Sequence, residues 1–171
     1  MSKVYTIKAV QIIPVELAVA WNFFSNSANL QSITPGNIGF KVTSEQQGDK
    51  VYAGQIIEYK VSPVLGLSFY WMTEITHVVP GSYFVDEQRF GPYSLWHHQH
   101  HFRVVEGGVE MTDIVHYKIP FWFLGDMANV LFVKKKVKEV FDFRYKKVEA
   151  LFGVIPGTKD LNVQKMTSIT S

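Results

Sequence analysis

The 171-residue chain contains no cysteine. Disulfides, thiolate chemistry, zinc–thiolate centres and cysteine-ligated iron–sulfur clusters are therefore excluded. Its net charge is only +2, too little to imply nucleic acid as a partner. No apolar run approaches the roughly 20 residues that a membrane-spanning helix needs. The opening stretch Met1-Ser2-Lys3-Val4-Tyr5 has no apolar leader segment, so a cytoplasmic location is expected. Phosphate loops, dinucleotide fingerprints and an obvious nucleophile are also missing. No cofactor is expected.

What the chain does have is aromatic mass. Phe, Tyr and Trp make up 15% of it, with 13 Phe, 8 Tyr and 4 Trp. Such rings fill a large core or line an apolar pocket. The length suits one domain with a core of its own. Residues 3 to 13 read as a strand that Pro14 ends. Residues 15 to 31 carry Leu17, Ala20, Trp21, Phe24 and Leu30 at helical spacing, broken at Asn26 or Ser27 into two short helices. Strands are expected at 38–45, 50–61, 67–79, 82–90, 94–106 and 109–118. The separators are Gln47-Gly48-Asp49, Leu65-Gly66, Pro80-Gly81, Gly91-Pro92 and Gly107-Gly108. Connections this short join antiparallel neighbours.

Pro120 ends the last strand, and an apolar loop, Phe121-Trp122-Phe123-Leu124, follows. A long helix is expected over 126–152, with Asp126 at its start and Gly153 as its stop. Its apolar stripe is Val130, Val133, Val137, Val140, Phe141, Val148, Leu151 and Phe152. Lys134, Lys135, Lys136, Lys138, Lys146 and Lys147 fill the other faces. Residues 156–171 are polar and aperiodic and read as a loose tail on a domain spanning 1–155. The class is α+β: a seven-stranded curved antiparallel sheet, two short helices after its first strand, and a long C-terminal helix over it.

This order of elements resembles the START-like, helix-grip superfamily. Two stretches bring the resemblance closer to its bacterial polyketide cyclase/dehydrase-like members. One is Phe84-Val-Asp86-Glu-Gln88-Arg-Phe-Gly91-Pro92, continuing to Trp96-His-His98-Gln-His100-His-Phe102. The other is Phe141-Asp-Phe-Arg144-Tyr145. The resemblance covers residues 3 to 153. It implies a cavity between sheet and long helix that takes apolar molecules, on a scaffold that hosts binders, carriers and a few enzymes.

Alternation along a strand puts Trp96, His98, His100, Phe102 and Val104 on one face, and Val109, Met111, Asp113, Val115 and Tyr117 on one face of the next. Both sets are the more apolar ones and are expected inside. A turn at Gly107-Gly108 pairs residues whose numbers sum to about 215. Phe102 would then face Asp113, and His100 would sit diagonally from it. A carboxylate orienting an imidazole supports acid–base chemistry, so His98, His100 and Asp113 are the catalytic candidates. The alternative reading is that these groups simply satisfy each other in a cavity wall. The H-x-H spacing of His98 and His100 would also suit a metal, with Asp113 as third ligand. The resembled family is not one of metalloproteins, and no metal site is assigned.

Asp86 and Gln88 share a strand face with Phe84 and Phe90, turned either to the pocket or to solvent. Arg144 extends the helix stripe, reaching either a sheet carboxylate or water. The full set of candidate ligand-binding residues is Trp71, Asp86, Gln88, Trp96, His98, His100, Phe102, Asp113, Tyr117, Trp122, Phe141 and Arg144, with Tyr59 and Gln55 as further pocket residues. The 121–124 loop is read as a cavity lid, with membrane contact as the minor reading. The expected function is to bind a small, largely apolar ligand, aromatic or lipid-like, with a polar end. The alternatives are a cyclase- or dehydratase-type enzyme using a His–Asp pair, and peripheral lipid transfer.

Overall fold

The computed structural model describes residues 4–44, 50–64, 67–120, 127–155 and 169–170. The expected separators at 47–49 and 65–66, the 121–124 loop with Trp122, and the Asp126 cap lie outside the described residues. So does most of the 156–171 segment.

Strand β1 (Tyr5–Ile13) leads into α1 (Leu17–Phe24) and α2 (Ser27–Leu30). The break falls at Asn26, whose side chain accepts the Ala28 amide at 3.0 Å and so restarts the helix. Two 3-10 turns, Gln31–Ile33 and Gly36–Ile38, carry the chain to β2 (Lys41–Val42). Strand β2 is shorter than expected because Gly39 turns the backbone at φ 58°. Then come β3 (Ile56–Val64), β4 (Leu67–Val79), β5 (Tyr83–Phe90), β6 (Leu95–Val105) and β7 (Gly108–Lys118). The expected strand over 50–61 starts late, at Ile56. The chain first turns through Gly54 at φ 89°, with the Gln55 amide donating to the Tyr52 carbonyl.

All seven expected strands are present, antiparallel, in the order β2-β3-β4-β5-β6-β7-β1. Ile169–Thr170 add a two-residue β8 beside Tyr5 and Thr6. Register shifts in the β3–β4 and β4–β5 ladders bend the sheet at its centre, since an extra residue raises local twist.

The long helix, α3 (Met127–Phe152), buries Val137, Phe141 and Val148 against the concave face. Leu151, expected on the stripe, is exposed. Two apolar clusters result. One gathers Ile13, Ala20, Trp21, Phe84, Phe102, Met111 and Val148. The other gathers Ile7, Ala9, Val115, Tyr117, Val137 and Phe141. Trp21 packs edge-on to Phe84 and Phe102 at 5.9 and 5.5 Å. Burying each such ring is worth about 1.5–3 kcal/mol. Between the clusters, His98 and His100 on β6, Asp113 on β7 and Arg144 on α3 form a polar belt. No helix among the described residues is long and apolar enough to cross a membrane.

Candidate functional site

The β6–β7 hairpin decides how the belt is built. Val105 pairs with Gly108, so the two-residue loop is Glu106–Gly107, with Gly107 at φ 84°. The sequence reading put the turn at Gly107-Gly108, which shifts the register by two. His100 therefore lies directly across from Asp113, His98 across from Val115, and Phe102 across from Met111. Gly108 belongs to the strand for a different reason than turn geometry. A Cβ there would run into the carbonyl oxygen of Ile13 on β1.

The inward face of β6 holds as expected for His98, His100 and Phe102, all buried. Val104, at the end of the strand, is exposed instead. Each imidazole meets a carboxylate. His98 Nε2 donates to Asp113 Oδ1 at 2.9 Å, and His100 Nε2 donates to Asp86 Oδ2 at 2.8 Å. His98 Nδ1 lies 3.4 Å from Asp86 Oδ2. His100 Nδ1 lies 2.8 Å from Asp113 Oδ1, but without hydrogen-bond alignment, so this buried nitrogen has no such partner. The two rings stand 3.8 Å apart, and Phe84 stacks on His100 at 4.2 Å. Arg144 Nη1 comes within 4.0 Å of Asp113, and its guanidinium lies 5.3 Å from the Phe141 ring.

Burial pushes the His98 pKa down, and the neighbouring His100 pushes it further, outweighing the carboxylates. Burial works against a charged His100 too, but contacts with Asp113 and Asp86 outweigh it and raise its pKa. Burial disfavours ionised carboxylates, yet the histidines hold both Asp86 and Asp113 below the ordinary range. His100 is therefore the imidazole that holds a proton more readily and His98 the one that holds it less, and the two carboxylates lie among these rings and the Arg144 guanidinium, the pairing that a buried cluster requires.

The belt forms one wall of a cavity of about 220 Å³. Asp86, His98, His100 and Arg144 line it, together with Trp71, Trp96 and Phe141. Asp113 stands behind the histidines and lines only a smaller recess under Arg144 and Tyr145. Phe102 and Tyr117 are core residues that do not line the cavity, and Gln55 is buried with its side chain accepting the Tyr52 amide. Asp86 is turned inward. Gln88 is not a lining residue: its side chain donates to the Tyr93 carbonyl at 2.6 Å and accepts the Tyr93 amide at 3.2 Å. Phe90 is exposed and packs on Tyr70.

The clamp by Gln88 presents Tyr93, a lining residue that sequence reasoning missed. Tyr93 sits in a loop, where no periodicity marks a facing, and only the preceding Gly91-Pro92 turn hinted at a fixed conformation. Phe24 and Phe40 line the cavity too, and α3 contributes Val137 and Val140.

No protein-family model and no curated protein matches the chain. Solved structures do. Protein CV1439 from Chromobacterium violaceum aligns over 88% of this chain and 98% of its own, with a TM-score of 0.65 at 14% identity. Ginseng major latex-like protein 151 from Panax ginseng aligns over 87% and 97%, with a TM-score of 0.60 at 14% identity. Ara h 8.0201 aligns over 86% and 99%, with a TM-score of 0.55 at 15% identity. The fold is the START-like helix grip. At these identities the likeness speaks for the helix-grip architecture alone.

Proposed function

We propose that this helix-grip domain binds a small, largely apolar molecule with an oxygen-bearing end, held between sheet and long helix. The observation that carries the reading is the cavity's two-sided lining. Aromatic and aliphatic side chains form most of it, and one wall carries Asp86, His98, His100 and Arg144. Few convergent polar groups in an apolar cleft suit orientation of such a ligand. The volume lies below the roughly 300–1,000 Å³ of drug-sized sites, which favours a compact aromatic or aliphatic ligand over a bulky lipid. We take residues 1–155 as the binding domain and 156–171 as a C-terminal segment that is not wholly loose, since Ile169–Thr170 pair with β1, acting in the cytoplasm.

Trp71 and Trp96 both line the cavity, so intrinsic fluorescence reads its occupancy. Titration with short aromatic and aliphatic acids and ketones should give saturable quenching. Val140→Trp should abolish it without lowering the melting temperature. Absence of any saturable response, together with native mass spectra free of a retained adduct, would refute the proposal.

A second reading, acid–base chemistry of the cyclase or dehydratase type, is favoured by one observation: both imidazoles line the cavity and can touch its contents. Loss of water from a bound hydroxy-carbonyl compound, absent in His100→Gln, is the outcome that would establish it.

A further inference from the structure

The arrangement of Asp86, His98 and His100 has a feature that ligand orientation does not require. Their donor atoms, a carboxylate oxygen and two imidazole nitrogens, all lie within 4.8 Å of one another. Asp86 Oδ2 is 2.8 Å from His100 Nε2 and 3.4 Å from His98 Nδ1. In a tetrahedral site with bonds of about 2.05 Å, neighbouring donors stand roughly 3.3 Å apart. We propose that Asp86, His98 and His100 form a binding site for a divalent transition-metal ion, with open coordination positions facing the cavity.

Two further observations point the same way. The first is the far side of each ring. His98 Nε2 donates to Asp113 Oδ1 at 2.9 Å, and His100 Nδ1 stands 2.8 Å from that same oxygen. A histidine that ligates a metal through one nitrogen directs the other to a carboxylate, which fixes ring orientation and raises basicity. Asp113 accepts from His98, lies beside the second nitrogen of His100, and does not line the cavity. The second is the near side of His98. Its Nε2 is taken up by Asp113, which leaves Nδ1 as the nitrogen beside Asp86 Oδ2, at 3.4 Å in the cavity wall.

With Nε2 of His100 on the metal, its other nitrogen, Nδ1, has Asp113 Oδ1 as a carboxylate oxygen 2.8 Å away. Two imidazoles and one carboxylate suit Zn²⁺ or Fe²⁺ rather than Mg²⁺ or Ca²⁺. With a divalent ion in place, the two carboxylates and Arg144 leave the cluster one positive charge in excess. An anionic group entering from the cavity would cancel it, so the exogenous ligand suited to the open positions is a carboxylate.

The test is metal uptake by the full chain, untagged and chelator-treated, with Zn²⁺ or Co²⁺ alone and no organic ligand. A failure here therefore leaves the cavity reading standing. Calorimetry should give one ion per chain. Asp86→Asn and His98→Gln should abolish stoichiometric binding, and Asp113→Asn should weaken it about 10–100-fold. His97→Ala, on the outer face of β6 beside Glu87, should leave it unchanged. If the inner variants fail to fold, the wild-type Co²⁺ form still decides the matter. It should show two strongly shifted, exchangeable imidazole N–H resonances in its proton spectrum. Absence of uptake, binding that survives in both ligand variants, loss in His97→Ala, or a Co²⁺ form lacking those resonances would each overturn the proposal.

Discussion

Replacing Asp113 by Asn tests the polar belt at its most connected point. The Asp113 side chain is 9% exposed, accepts from His98 at 2.9 Å, and has His100 at 2.8 Å and Arg144 at 4.0 Å. The amide is nearly the same size, so no cavity opens and the change is almost purely electrostatic. It removes one of the two buried negative charges that face His98, His100 and Arg144. Breaking a buried ion pair by removing one partner costs about 3–5 kcal/mol. For a domain of this size each kcal/mol lowers the melting temperature by about 2–4 °C. The expected fall is therefore roughly 6–20 °C, measured by calorimetry or far-UV circular dichroism in the presence of chelator. Asp142→Asn is the matched comparison. Asp142 pairs with Lys138 at 2.6 Å on the exposed face of α3, and such pairs are worth only about 0.3–0.5 kcal/mol. A loss below about 1 kcal/mol for Asp113→Asn would refute the reading of Asp113 as a paired buried charge.

Gly108→Ala should destabilise the fold by about 1–3 kcal/mol, because the added methyl meets backbone of β1 rather than a side chain that can move; an unchanged denaturation midpoint would contradict this. Gln88→Ala removes two hydrogen bonds to Tyr93 and should cost about 1–3 kcal/mol. It should also weaken quenching of Trp71 and Trp96 by cavity ligands, and unaltered affinity would show that Tyr93 needs no clamp. Alkali offers a third check. Unfolded tyrosines ionise near pH 10, whereas burial, aided by the neighbouring Tyr5, pushes Tyr117 up to about 12, and burial raises Tyr59 and Tyr93 as well. Their contribution is full below pH 10 and is lost as pH rises toward 12. Unfolding free energy should fall across that window, with the phenolate absorbance of these three rings appearing only as the fold is lost. The full absorbance of all eight tyrosines near pH 10 with the fold intact would show these rings to be open to water.

Much of the architecture was legible in the residues because it depends on periodicity and local chemistry. Alternation placed His98, His100 and Asp113 inside, since a strand sends successive side chains to opposite faces whatever the rest of the fold does. The 3.6-residue repeat found Val137, Phe141 and Val148, and short Gly and Pro turns required antiparallel neighbours. The metal reading shows where that logic stopped. The sequence alone suggested Asp113 as a third ligand and assigned no site. The fold puts Asp113 behind the rings and Asp86 in front of them.

Three matters were decided only by tertiary structure. The β6–β7 register turned on Gly108, which is glycine because β1 passes too close for a side chain, and β1 is distant in sequence. Gln88 has the alternation of an inward residue yet spends its hydrogen bonds on Tyr93. Asp86 meets His98 and His100 because β5 pairs with β6, across a sheet whose bulges no periodic pattern encodes. The sequence by itself determined which side chains face inward. Which of those side chains touch one another depended on registers set by packing between segments far apart in the chain.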